Sequence, residues 1–188
     1  MNTPNKLTVF RMLITPLFLA VILWDIPHRF LLAAIIFSVA AVTDAIDGKL
    51  ARKNNEVTVF GKLLDPIADK MLTTAALLAF MQLGWCNVWI VIIILTREFA
   101  ITSIRLIASS QGVVIPANIW GKLKTVSQMT FTIVIMLLGE WDKTFHIFNK
   151  ASTFSLISNT MLWLTAVLTV VSGIIYITQS RKLIDFSK

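Results

Sequence analysis

Six long apolar runs, separated by short polar stretches, cover 7–24, 30–50, 61–83, 88–108, 119–138 and 154–178. As α-helices rising 1.5 Å per residue, runs of about 20 residues cross roughly 30 Å of hydrocarbon. The third and sixth are clear; the others carry polar residues at one end, as helices lining a site do. Pro16, near the middle of the first, predicts a kink or a loosened turn there. The first run, NKLTVFRMLITPLFLAVILW, has no small-residue cleavage signal and reads as a retained helix. No repeat or low-complexity segment divides the chain. The expected architecture is an all-α integral membrane protein of six transmembrane helices, one domain over 1–188.

Composition strengthens that picture. The 188 residues are 56% hydrophobic and 14% charged, with a mean hydropathy of +0.79, too little charge to cover a soluble domain. A net charge of +7 raises the question of nucleic acid. The cations fall at the ends of apolar runs and form no stripe, so no nucleic-acid partner is expected. Cys86 is the only cysteine, which excludes an intramolecular disulfide and a thiolate metal cluster. Threaded through six spans, only Arg29, Lys143 and Lys150 of the 17 lysines and arginines fall on one side. The rest mark the other side, with both termini, as cytoplasmic. On the outer side, the aromatic and charged segment from Glu140 to Lys150 reads as an interfacial loop. His28 and His146 fall on that side too, away from the acids discussed next.

Those acids are concentrated in DAIDGKLARKNNEVTVFGKLLDPIAD, residues 44–69. Asp44 and Asp47 stand three apart on the second helix, and Asp65 and Asp69 four apart on the third. Each spacing puts its pair on one helix face. The short polar link KNNEVTVF returns the chain so that the two pairs confront each other. Four carboxylates partly withdrawn from water repel one another unless a cation compensates. Oxygen donors without histidine or cysteine suit Mg²⁺ or Mn²⁺ better than zinc. Such a site handles phosphoryl groups, and Arg52 is placed to meet a diphosphate. Gly48, Ala51 and Gly61, interleaved with the acids, leave room for a ligand or for close helix packing.

The run Asp44-x-x-Asp47-Gly48-x-x-Ala51-Arg52, followed by Gly61-x-x-x-Asp65-x-x-x-Asp69, resembles the full signature of the CDP-alcohol phosphatidyltransferases. The resemblance implies six helices, a bacterial cytoplasmic membrane location with the site facing the cytoplasm, and a homodimer. It implies transfer of a phosphatidyl group from a CDP-linked lipid to an alcohol, with release of CMP. By the same resemblance Asp44, Asp47 and Asp65 hold one divalent ion; Asp44, Asp65 and Asp69 share a second; and Asp69 is the general base. Gly48, Ala51 and Gly61 border the cytidine, and Arg52 approaches the diphosphate. Small residues on the last helix, Ala166 and Gly173, are candidates for a dimer interface.

The acceptor is encoded elsewhere. MNTPNKLTVFR, GKLLDPIADK and TREFAITSIR resemble family members that use CDP-diacylglycerol and sn-glycerol 3-phosphate. Asn5, Thr8 and Arg11 recur every three residues as one polar stripe, beside the nucleotide and acceptor by that resemblance. A phosphorylated acceptor needs fixed positive charge, for which Arg97, Arg105, Lys122 and Lys124 are the candidates. Arg97 and Arg105, eight apart, return to one face, whereas Glu98 lies on a different face from Arg97. Arg97 is therefore expected to pair with a ligand phosphate or a distant carboxylate. Snorkelling is the plainer account of the two lysines. Within the family, inositol, inositol phosphate, serine or phosphatidylglycerol are alternative acceptors. A prenyltransferase would need more helices, and a transporter or channel would need acids spread across the membrane.

Overall fold

A computed structural model describes residues 3–54, 59–113, 119–148 and 151–181, with side chains described for all of these except 3–8, 44–54, 59–66, 69 and 151. Each apolar run forms one helix: α1 (Thr3–Leu23), α2 (Arg29–Asn54), α3 (Val59–Gln82), α4 (Val88–Ser110), α5 (Ile119–Phe145) and α6 (Ala151–Ser180). Pro16 lies inside α1 without interrupting it, because one lost backbone bond is tolerated where the turns on either side hold.

α1 packs against α2 and α3, α2 against α5, α5 against α6, α6 against α4, and α4 against α3. The six helices thus close a ring of neighbours. Phe18, Phe37 and Phe80 fill its core between Ala33, Ala40, Ala76 and Ala79. The alanines let helix backbones approach while the phenylalanines supply buried area. On α6 the buried face is polar: Thr165, Thr169, Ser172 and Ser180 each donate to a carbonyl one turn back. That local bond satisfies a hydroxyl inside an apolar bundle.

One end of the ring is tied by side chains from distant parts of the chain. The α3–α4 turn passes through Gly84 at φ 75°, where a side chain would be strained. Asn87 caps α4 by accepting from Trp89 N at 3.0 Å, and its own N–H donates to Asn159 Oδ1 at 2.8 Å. Trp85 packs on Phe30 and Phe154, each at 4.7 Å between ring centroids. Lys143 and Arg29 both pair with Asp25, at 2.9 and 3.7 Å. These two cations therefore share one end. Lys143, its hydrogen bond and its charge, together with Arg29, holds the Asp25 carboxyl below its ordinary range.

Two expectations change here, and a third is met in part. The segment from Glu140 is not a loop at its start: α5 runs on to Phe145. Glu140 is buried and accepts from Phe30 N at 3.2 Å, Leu31 N at 3.4 Å and His28 Nδ1 at 2.8 Å. The open N–H groups at the start of α2 recruit a carboxylate from another helix. Ala166 and Gly173 are also no free interface residues, since both are buried within the single chain. Finally, among the described residues only the helix over Ser152–Ser180 is long and apolar enough to cross a membrane by length and hydropathy. Charge is the reason in α4 and α5, which carry Arg97, Glu98 and Arg105, and Lys122, Lys124 and Glu140.

Candidate active site

The four aspartates lie on two helices that both pack against α1. Asp44 and Asp47, with Gly48, Ala51 and Arg52, occupy the second half of α2; Gly61, Asp65 and Asp69 occupy the first half of α3. The helical backbone at these positions gives each acidic pair a common face. Asn5 and Thr8 lie in the first two turns of α1. The side chains of Asn5, Thr8, Asp44, Asp47, Gly48, Ala51, Arg52, Gly61, Asp65 and Asp69 fall outside the described residues, as does the link 55–58. Arg11, the third residue of the α1 stripe, is buried.

The described half of the site is a cluster of charges between α3, α4, α5 and α6. Glu98 Oε1 accepts from Lys124 Nζ at 2.6 Å and from Arg97 Nη1 at 2.9 Å. Arg97 Nη2 donates to Ser172 Oγ at 3.0 Å, and Arg97 Nε is buried with no hydrogen-bond partner among the described residues. Lys70 hydrogen-bonds to Thr102, whose hydroxyl donates to the Glu98 carbonyl at 2.8 Å. Lys70 follows Asp69 in the chain. The contact with Thr102 therefore ties the α4 charge cluster to the acidic segment of α3.

The chain's one tyrosine serves the same helix pair. Arg105 Nε donates to Tyr176 Oη at 3.3 Å, and its guanidinium stands 5.5 Å from the ring centroid. Arg97 and Arg105 thus both reach α6, as their spacing predicts. The structure gathers Arg97 and Lys124 into one cluster. Arg105 stands apart on Tyr176, and Lys122 is exposed.

Two expectations are corrected. Arg97 and Glu98, placed on different faces by their spacing, are paired at 2.9 Å, because long side chains on neighbouring positions can still meet at their tips. Lys124 does not snorkel: its side chain is 4% exposed and sits on Glu98. Lys70, Thr102, Ser172 and Tyr176 are residues that sequence reasoning passed over, and Glu98 it set aside as facing away from Arg97. Their signals were slight: the one acid in α4, a lysine beside Asp69, and a lone tyrosine four residues after a serine.

Among the described residues no three His, Cys, Asp or Glu side chains form a group able to hold a metal ion. The described alternatives stand elsewhere, with His28 on Glu140 and Cys86 buried at the α3–α4 turn. The acidic segment offers carboxylate oxygens only, a donor set that fits hard divalent ions.

An all-helical ring that carries an Asp-x-x-Asp segment on α2 and gathers cations between α3, α4, α5 and α6 is the arrangement of a membrane-associated transferase of phosphate-linked lipid groups. The family profile for CDP-alcohol phosphatidyltransferase matches residues 1–171, and the chain belongs to that family. Its chemistry is the family's, with a CDP-linked donor. It is 37% identical over 195 aligned positions to the CDP-diacylglycerol–glycerol-3-phosphate 3-phosphatidyltransferase of Bacillus subtilis (strain 168), covering 95% of each chain. The protein of the same name in Rickettsia bellii (strain RML369-C) is 33% identical over 184 positions, with 96% of each covered. A probable phosphatidylglycerophosphate synthase of Mycobacterium tuberculosis (strain ATCC 25618 / H37Rv) is 42% identical over 130 positions, 68% of this chain and 62% of that one.

Proposed function

We propose that this protein, as one catalytic unit over 1–188, transfers the phosphatidyl group of CDP-diacylglycerol to sn-glycerol 3-phosphate. The products are phosphatidylglycerophosphate and CMP. The observation that carries the acceptor is the cluster of buried Lys124 with half-buried Arg97 and Lys70, joined to the acidic segment through Thr102. A dianionic phosphate is the ligand that three cations with one carboxylate would complement. Relatives named for glycerol 3-phosphate support the same choice.

In this reading Asp69 takes the proton from the acceptor hydroxyl. The hydroxyl oxygen bonds to the phosphorus that carries the diacylglycerol, and the bond from that phosphorus to the CMP oxygen breaks. Arg52 steadies the diphosphate, while Gly48, Ala51 and Gly61 leave space for cytidine. Asn5, Thr8 and Arg11 border the nucleotide and acceptor. Arg97, Lys124, Arg105 and Lys122 attract the acceptor phosphate, the first two from within the bundle and the others from its mouth. Asp44, Asp47 and Asp65 would hold one Mg²⁺ or Mn²⁺, and Asp44, Asp65 and Asp69 a second. When bound, such ions neutralise charge on the diphosphate and on the departing CMP.

All six helices cross the bacterial cytoplasmic membrane in this reading, with the site toward the cytoplasm. What supports it is the outer rim of exposed aromatics, Trp24, Trp89, Trp141 and Phe145, at the end holding Asp25, Arg29 and Lys143. Aromatic rings of this kind favour the lipid–water boundary. The homodimer is carried on resemblance to the family alone.

The test offers purified protein CDP-diacylglycerol and Mg²⁺ or Mn²⁺ with glycerol 3-phosphate, inositol, inositol phosphate or serine. CMP and lipid product are then followed. Product with glycerol 3-phosphate is expected; its absence would sink the assignment.

A further inference from the structure

We propose that Glu98, Ser172 and Gly173 are positioning residues that hold Arg97 and Lys124 in place for the acceptor's phosphate. The proposal rests on the phosphate-acceptor reading above and assigns roles to residues that do not themselves touch the substrate.

Arg97 is fixed at three points. Glu98 Oε1 takes Nη1 at 2.9 Å, and Ser172 Oγ takes Nη2 at 3.0 Å. The third point is steric. A Cβ on Gly173 would stand 3.0 Å from Arg97 Cγ and 3.7 Å from Nε. The arginine stem therefore lies in the space that glycine leaves on α6. With both ends of the guanidinium engaged, Nε has no partner among the described residues. A buried N–H without a partner is costly, and an incoming phosphate oxygen would relieve that cost.

Glu98 acts on Lys124 in a different way. The ammonium is buried and bonded to Glu98 at 2.6 Å. An ammonium held away from water without a counter-ion loses its proton or swings out. Neutralising Glu98 therefore removes more than one charge. Arg97 loses an anchor, and Lys124 loses the partner that keeps it charged inside the bundle. An alternative role, in which Glu98 merely competes with the phosphate for these cations, predicts the opposite sign.

The experiment compares wild-type protein, Glu98→Gln, Gly173→Ala and Ser172→Ala in one detergent. Glycerol 3-phosphate is varied at saturating CDP-diacylglycerol, then the donor is varied at saturating acceptor. Binding of inorganic phosphate is measured separately by titration calorimetry. For Glu98→Gln and Gly173→Ala, KM for glycerol 3-phosphate should rise about tenfold or more, the loss expected for one charge-assisted hydrogen bond. For Ser172→Ala, which leaves the Glu98 anchor, a smaller rise of about threefold is expected. KM for the donor should stay within about twofold and kcat within about threefold, a split that general loosening of the fold would not produce. Phosphate affinity should fall in parallel.

A KM for glycerol 3-phosphate that falls or stays unchanged in both Glu98→Gln and Gly173→Ala overturns the proposal. If Glu98→Gln does not fold, Gly173→Ala decides alone, since its added methyl removes no charge. Failure of the wider reading looks different: the wild-type protein itself would make no lipid product from glycerol 3-phosphate and bind no phosphate.

Discussion

Replacing Glu140 by alanine should weaken the bundle at the end remote from the acidic segment. The carboxylate accepts two backbone N–H groups at the start of α2, at 3.2 and 3.4 Å, and His28 Nδ1 at 2.8 Å. His28 is largely exposed, so water replaces that partner at little cost. Phe30 is buried, and its N–H would be left without an acceptor, at about 1–3 kcal/mol. Loss of a negative charge at a helix N-terminus adds roughly 0.3–1 kcal/mol, and the small cavity adds to both. A total of about 2–4 kcal/mol for Glu140→Ala follows from these costs. For a chain of this size that corresponds to a Tm lower by roughly 4–16 °C. Glu140→Gln keeps an acceptor oxygen and should lose about 1 kcal/mol. The assay is thermal unfolding in one detergent, followed by tryptophan fluorescence and by far-ultraviolet circular dichroism. A Glu140→Ala protein melting within about 1 °C of wild type, where ~4–16 °C is expected, would refute the account of this carboxylate as an interhelix cap.

Three further outcomes are expected. Gly139→Ala should cost about 1–3 kcal/mol by overpacking, because its Cβ would stand 2.7 Å from Trp85 Cη2; an unchanged Tm would contradict the packing of Trp85 there. Asp69→Asn should lower kcat by about 10²–10⁴ with helix content retained, and near-full CMP release would remove Asp69 as the base. Burial pushes the Cys86 thiol up to about 12. At pH 8 roughly one molecule in ten thousand is then thiolate, against roughly a quarter for an ordinary cysteine. Alkylation of native protein, read by mass spectrometry, should accordingly be far slower than in denatured protein and rise about tenfold per pH unit. Equal rates at pH 8 would show the thiol to be unburied.

The periodic features were legible without coordinates. Six helices follow from six apolar runs, and the common faces of Asp44 with Asp47 and of Asp65 with Asp69 follow from helical spacing. The reach of Arg97 and Arg105 toward one neighbouring helix follows in the same way. What was misread depended on side-chain length or on partners far along the chain. Adjacent positions point apart at Cβ, yet an arginine stem is long enough to bring its guanidinium back to Glu98. Glu140 looked like part of a loop because the α2 N-terminus it caps lies 110 residues away.

Taken alone, the sequence determined the elements and the chemical class, because helix periodicity and the spacing of the carboxylates are local properties of the chain. Only the tertiary structure decided which helices are neighbours, and with them the partners of the buried charges. Lys70, Glu98, Lys124 and Ser172 come from four helices and form one network with Arg97 and Thr102. An apolar interior forces that outcome, since a charge withdrawn from water must find its partner wherever the packing brings one.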